Sequence, residues 1–91
     1  MSPSSGGLRV DSSLDVRGLA APASYRKAVE RLKAMAENEV LELSIDEGDA
    51  LRTIPFGLRA EGHDILVSEP MSGGVRLLVR KRSLLPQGES A

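Results

Sequence analysis

Between Leu14 and Ile45 the apolar residues change their spacing twice, and this constrains the fold more than any other feature of the chain. Leu14-Asp15-Val16-Arg17 alternates apolar with charged residues and then meets Gly18, the pattern of a short, half-buried strand. From Tyr25 the spacing becomes three and four. Tyr25, Ala28, Val29, Leu32, Met35 and Ala36 form one stripe, with Arg26, Lys27, Glu30, Arg31, Lys33 and Glu37 opposite. Pro22 suits the first turn of such a helix, where its missing N–H costs nothing, and Asn38 can end it. Period two then returns, with Leu41, Leu43 and Ile45 on one face of a second strand. A strand–helix–strand unit of this kind is expected to cross over with the right hand.

The second half repeats the alternation with one irregularity. Gly48-Asp49 breaks the strand, Asp49 is a good N-cap, and Ala50, Leu51, Ile54 and Leu58 continue at helical spacing towards a stop at Gly62. Pro55 would cost about 3 kcal/mol inside a regular helix, so a kink, or regular helix only around residues 53–56, is expected there. Ile65-Leu66-Val67 and Val75-Arg76-Leu77-Leu78-Val79-Arg80 flank Pro70-Met71-Ser72-Gly73-Gly74, which reads as a hairpin with a Gly-rich turn. The order β-α-β-α-β-β predicts an α+β fold. It is a two-layer α/β sandwich: a four-stranded mixed sheet with two helices on one face and the last two strands antiparallel.

Ninety-one residues with 41% apolar content make one domain. Residues 1–12 and 83–91 are turn-rich and read as disordered tails, leaving residues 13–82 as the folded unit. With one Tyr, one Phe and no Trp, the core must be aliphatic. Twelve basic residues against thirteen acidic argue against a dominant nucleic-acid or membrane surface, and 2% aromatic content leaves little to stack on RNA bases. The apolar runs are far shorter than a membrane helix, and the N-terminus lacks the order of a signal peptide. A cytoplasmic, monomeric protein is expected.

The chain has no cysteine, which removes disulfides, thiolate metal sites and thiol chemistry. No metal is expected: His63 is the single histidine, and Asp46, Glu47 and Asp49 read as strand-end and capping residues. No cofactor is expected either, since Gly73-Gly74 precedes a strand and not a helix.

The stretch Asp15-Val16-Arg17-Gly18-Leu19-Ala20-Ala21-Pro22-Ala23-Ser24 resembles the signature of the TusA/SirA-like sulfur carriers, Asp-x-Arg-Gly-Leu-x-Cys-Pro-x-Pro. Lys27-Ala28 falls where that family has its first helix. Asp49-Ala50-Leu51-Arg52-Thr53-Ile54-Pro55 is similar to its second-helix start and accounts for Pro55. The likeness runs from about Leu14 to Lys81. It implies a carrier that holds sulfur as a persulfide on one cysteine and relays it between partner proteins. The sequence departs from the pattern at two places: Ala21, followed by Pro22, stands where the family has its cysteine, and Ser24 stands for the second proline. As written, the chain has no catalytic residue for sulfur transfer. Either an engineered replacement or a natural loss produces Ala21, and the second departure at Ser24 favours natural loss. The alternative is a non-catalytic protein-binding or regulatory module on the same fold.

Asp15, Arg17, Gly18 and Leu19 are the motif residues that remain. Arg17, Arg26 and Lys27 are candidates for an anion or partner surface at the start of the first helix, where anions are favoured, with a solvated face as the plainer reading. Ser24 would need a base to act as a nucleophile, and His63 lies in the turn after the second helix, so Ser24 reads as a helix-start residue. Arg80-Lys81-Arg82 reads equally as a steering patch or as an edge guard against aggregation.

Overall fold

The computed structural model describes residues 9–82. The chain runs β1 (Ser12–Asp15), α1 (Ala21–Lys33), β2 (Val40–Ile45), α2 (Asp49–Ala60), β3 (Asp64–Met71) and β4 (Gly74–Arg80). This is the order read from the sequence. The strands form one sheet, β1-β2-β4-β3, with β1 parallel to β2 and the other two pairs antiparallel. Of the expected tails, residues 1–8 and 83–91 lie outside the described residues. Asp11 already bonds to β2: its N–H donates to the Val40 carbonyl at 2.9 Å, and its carboxylate accepts from the Val40 N–H at 2.9 Å.

The register explains where the core sits. Leu41, Leu43 and Ile45 of β2 stand opposite Val79, Leu77 and Val75 of β4. These side chains point the same way and pack with Ile54 and Leu58 of α2, Ala28 and Leu32 of α1, and Val16. Each such Leu or Ile contributes roughly 1.5–3 kcal/mol by leaving water, and no aromatic ring belongs to the fully buried set. On the opposite face Arg76 bridges Glu42 and Glu69 across β2, β4 and β3, a cross-strand row that alternates in sign.

Several boundaries differ from the sequence expectation. The first strand ends at Asp15, so Arg17 lies in the turn beyond it. Helix α1 stops at Lys33; Met35 still packs against the core, and Asn38 turns the chain into β2 at φ 73°. The N-cap of α2 is Gly48 and not Asp49, which is the first helical residue. Helix α2 runs without interruption through Pro55, whose ring is buried. The hairpin turn is only Ser72 and Gly73, because Met71 and Gly74 already pair.

The basic run Arg80-Lys81-Arg82 does not guard an edge, since β4 lies between β2 and β3. Its charges are used internally instead. Arg80 and Arg82 both reach Asp64 at 3.0 and 3.1 Å. The Lys81 ammonium donates to the carbonyls of Leu32 and Met35 at 2.8 and 3.1 Å, where the carbonyls ending α1 lack intrahelical partners.

Candidate functional site

The loop from β1 to α1 is fixed by three other parts of the chain. Because β1 and β2 are parallel and β4 runs back, the ends of β1 and β2 and the start of β4 meet at one edge of the molecule. The Asp15 carboxylate accepts from the Arg17 N–H at 3.0 Å, from Arg17 Nε at 2.9 Å and from Arg17 Nη2 at 2.8 Å. The remaining Arg17 nitrogen, Nη1, donates to the Ser72 carbonyl in the hairpin at 3.0 Å. Gly18, at φ 88°, donates its N–H to Asp46 Oδ2 at 2.8 Å. A residue with a side chain would be strained at that φ.

The clamp also sets the charges. Side-chain hydrogen bonding from Arg17, followed by the backbone bond, lowers the Asp15 pKa from 3.8 to about 2. The same carboxylate raises the Arg17 pKa. Both groups are ionised across the physiological range, and the guanidinium is spent on this contact.

Beyond the clamp, α1 starts with Ala20 as N-cap, Ala21 as first residue and Pro22 as second. Ala20 supplies no side-chain cap, and the first turn holds no acid. The Ser24 N–H donates to the Ala20 carbonyl at 2.9 Å, so the earlier N–H groups of the turn have no intrahelical acceptor. An anionic side chain at position 21 would sit against these groups and the positive end of the helix; a thiol there would be shifted towards thiolate. Alanine offers a methyl group.

Ala21 and Pro22 open onto a shallow depression between the helices, completed by Tyr25, Thr53 and Gly57, of about 430 Å³. The Tyr25 ring lies so close to Gly57 that a Cβ there would stand 2.6 Å from Cε1. The Tyr25 hydroxyl donates to Glu61 at 3.0 Å. Burial first, then that carboxylate, raises the Tyr25 pKa.

The structure brings Asp15, Arg17, Gly18 and Leu19 into the loop, but it does not join Arg17 to Arg26 and Lys27. Those two lie in the second turn of α1, not the first, and Lys27 lines a recess on the other side of the helix with Leu14, Glu30, Arg31 and Ala34. Ser24 is buried and donates its hydroxyl to the Ala21 carbonyl at 3.0 Å, the back-bond of a helical serine. His63 packs at the far end, where its Nδ1 accepts the Arg82 N–H at 3.1 Å. Asp46, the Ser72 carbonyl and the wall formed by Tyr25 and Gly57 were not legible as site components. Their partners are 28, 55 and 32 residues distant in the chain or are backbone atoms. Among the described residues no three of His, Asp and Glu are arranged to hold a metal ion, and no helix is long and apolar enough to cross a membrane.

The family model described as sulfurtransferase TusA matches residues 12–81. A protein of Archaeoglobus fulgidus described as a putative sulfur carrier protein is 31% identical over 62 residues, covering 68% of this chain and 70% of that protein.

Proposed function

The chain belongs to the sulfurtransferase TusA family, and from that premise we propose that it is a carrier-fold domain that holds no sulfur itself and acts by docking other proteins. The observation that carries this reading is Ala21 at the first position of α1, in a loop whose clamp is otherwise complete. A persulfide carrier loads when its thiolate attacks the outer sulfur of a donor persulfide. A new S–S bond forms, the donor's S–S bond breaks, and the donor leaves as a thiolate. A methyl group has no electron pair for that attack, and no cysteine elsewhere in the chain can substitute. What remains is a rigid loop, a helix start and an apolar depression, all suited to contact with a protein surface. The working unit is residues 13–82, acting as a monomer in the cytoplasm.

The test compares the native chain with the Ala21→Cys variant, each incubated with a cysteine desulfurase and free cysteine and read by intact mass. The native chain is expected to gain nothing. The variant is expected to gain one sulfur that a reducing thiol removes. An unloaded variant would show that the platform has diverged beyond the missing nucleophile, and a loaded native chain would overturn the reading.

A further inference from the structure

The chain has one phenylalanine, and it lies outside the core. Phe56 is 74% exposed on α2, although burying a ring of that size contributes roughly 1.5–3 kcal/mol. It follows Pro55 on the helix and stands beside Thr53 and Gly57, which line the depression closed by Tyr25. Tyr25 lines this hollow, and Phe56 projects into solvent from α2 next to two of its lining residues, an arrangement that suits an interface anchor.

Charge on the same layer is one-sided. Helices α1 and α2 carry Arg26, Lys27, Arg31, Lys33, Arg52 and Arg59 against Glu30 and Asp49, with Glu61 at the C-cap of α2 occupied by the Tyr25 hydroxyl. The cations elsewhere are engaged: Arg9, Arg17, Arg76, Arg80 and Arg82 in ion pairs, and Lys81 on helix carbonyls. Arg31 is held by β1. By contrast, the side chains of Arg26, Lys27, Lys33, Arg52 and Arg59 form no hydrogen bond or ion pair among the described residues. Arg52 and Arg59 lie four residues before and three after Phe56, so they share its side of α2, and Arg26 lies one helical turn beyond Pro22, which lines the hollow.

We propose that this face docks an acidic protein segment that places one apolar side chain beside Tyr25 and Phe56 and its carboxylates against Arg26, Arg52 and Arg59. The proposal rests on the docking function given above and names the chemistry of its partner. A second copy of the chain is disfavoured as the occupant, because a two-fold pairing through this face would set the same cations against each other. A nucleic acid would meet the cations but leave the apolar hollow unused.

The test is amide shift mapping on the full chain with a synthetic peptide that has a central Leu flanked by Glu and Asp. Its controls are the same peptide with Gln and Asn in place of the acids, and an oligothymidylate. Saturable shifts are expected at Tyr25, Arg26, Thr53, Phe56 and Gly57, weakening with salt. Combined Arg52→Glu and Arg59→Glu changes are expected to weaken binding about tenfold or more, and Phe56→Ala several-fold, with circular dichroism unchanged because all three side chains are exposed. The proposal is overturned by no saturable shift, by equal binding of the neutral peptide, by tighter binding of the oligothymidylate at the same amides, or by dimerisation through this face. Sulfur loading does not enter this titration. An unloaded Ala21→Cys variant would count against the carrier platform alone, and a failed titration would leave the loading result standing.

Discussion

Arg17 grips Asp15, two residues before it, through Nε and Nη2 while Nη1 reaches across to the Ser72 carbonyl of the hairpin. One planar guanidinium thereby ties the end of β1 to the start of β4. A lysine, with a single ammonium, cannot make these three directed bonds.

The clamp has a defined pH window. The pKa of Asp15 is lowered on folding from 3.8 to about 2, so its stabilisation is fully present above pH about 4 and is lost as the pH falls through about 2. A carboxyl-detected titration should find Asp15 ionised well below the ordinary aspartate value of 3.8, and Arg17→Ala should return it towards that value. A titration of Asp15 near 4 in the native protein would contradict the clamp.

Gly74 admits the chain to the sheet at a point where a side chain does not fit. A Cβ there would collide with the Ile45 carbonyl oxygen and stand 3.0 Å from Arg17 Cδ. Gly74→Ala should cost about 1–3 kcal/mol in urea unfolding. The arginine clamp should loosen with it, visible as a rise in the Asp15 pKa.

Helix propensity alone would favour alanine over Gly57 by about 1 kcal/mol. The Tyr25 ring reverses that preference, because it occupies the space of the new methyl group. Gly57→Ala is expected to leave the protein no more stable than the native chain and to break the Tyr25–Glu61 hydrogen bond. In a Tyr25→Ala background the same change should become stabilising, and a double-mutant cycle in thermal unfolding measures the difference.

Burial, the largest influence, lowers the pKa of His63 below 6.5, and its Nδ1 is an acceptor for the Arg82 N–H. The folded protein favours the neutral ring, so the unfolded chain binds the proton more tightly. Stability should be full above pH about 6.5 and decline as the pH falls through the lower folded value. His63→Gln should flatten this dependence between pH 7 and 5 in thermal unfolding, and an unchanged slope would remove His63 as its source.

The sequence disclosed the element order because spacing is local: Leu41, Leu43 and Ile45 announce a strand, and the stripe from Tyr25 to Leu32 announces a helix. Strand order is not local, and the failure of the edge-guard expectation for Arg80-Lys81-Arg82 follows from that. An observer of the chain sees basic residues ending its last strand, whereas the sheet inserts that strand between β2 and β3 and puts the charges to work on Asp64 and α1. At the site, the residues from Asp15 to Pro22 were legible as a motif. Their supports were not, since Asp46 and Ser72 act on them from loops that only folding brings near.

Lys81 offers a direct check on the corrected reading of that basic run. Its ammonium ends α1 by binding the carbonyls of Leu32 and Met35, so Lys81→Met should cost about 1 kcal/mol. It should also speed amide exchange in the turn after α1, where Ala34 and Met35 donate to Arg31 and Leu32. A solvated, unengaged lysine would change neither.

Every hydrogen bond that shapes the loop before α1 comes from Asp15, Arg17, Asp46 or the main chain, and none from the side chain of residue 21. Architecture and reactivity are thus written in separate letters of the same short motif. A change of side chain at position 21 therefore removes none of the bonds that hold the loop in place.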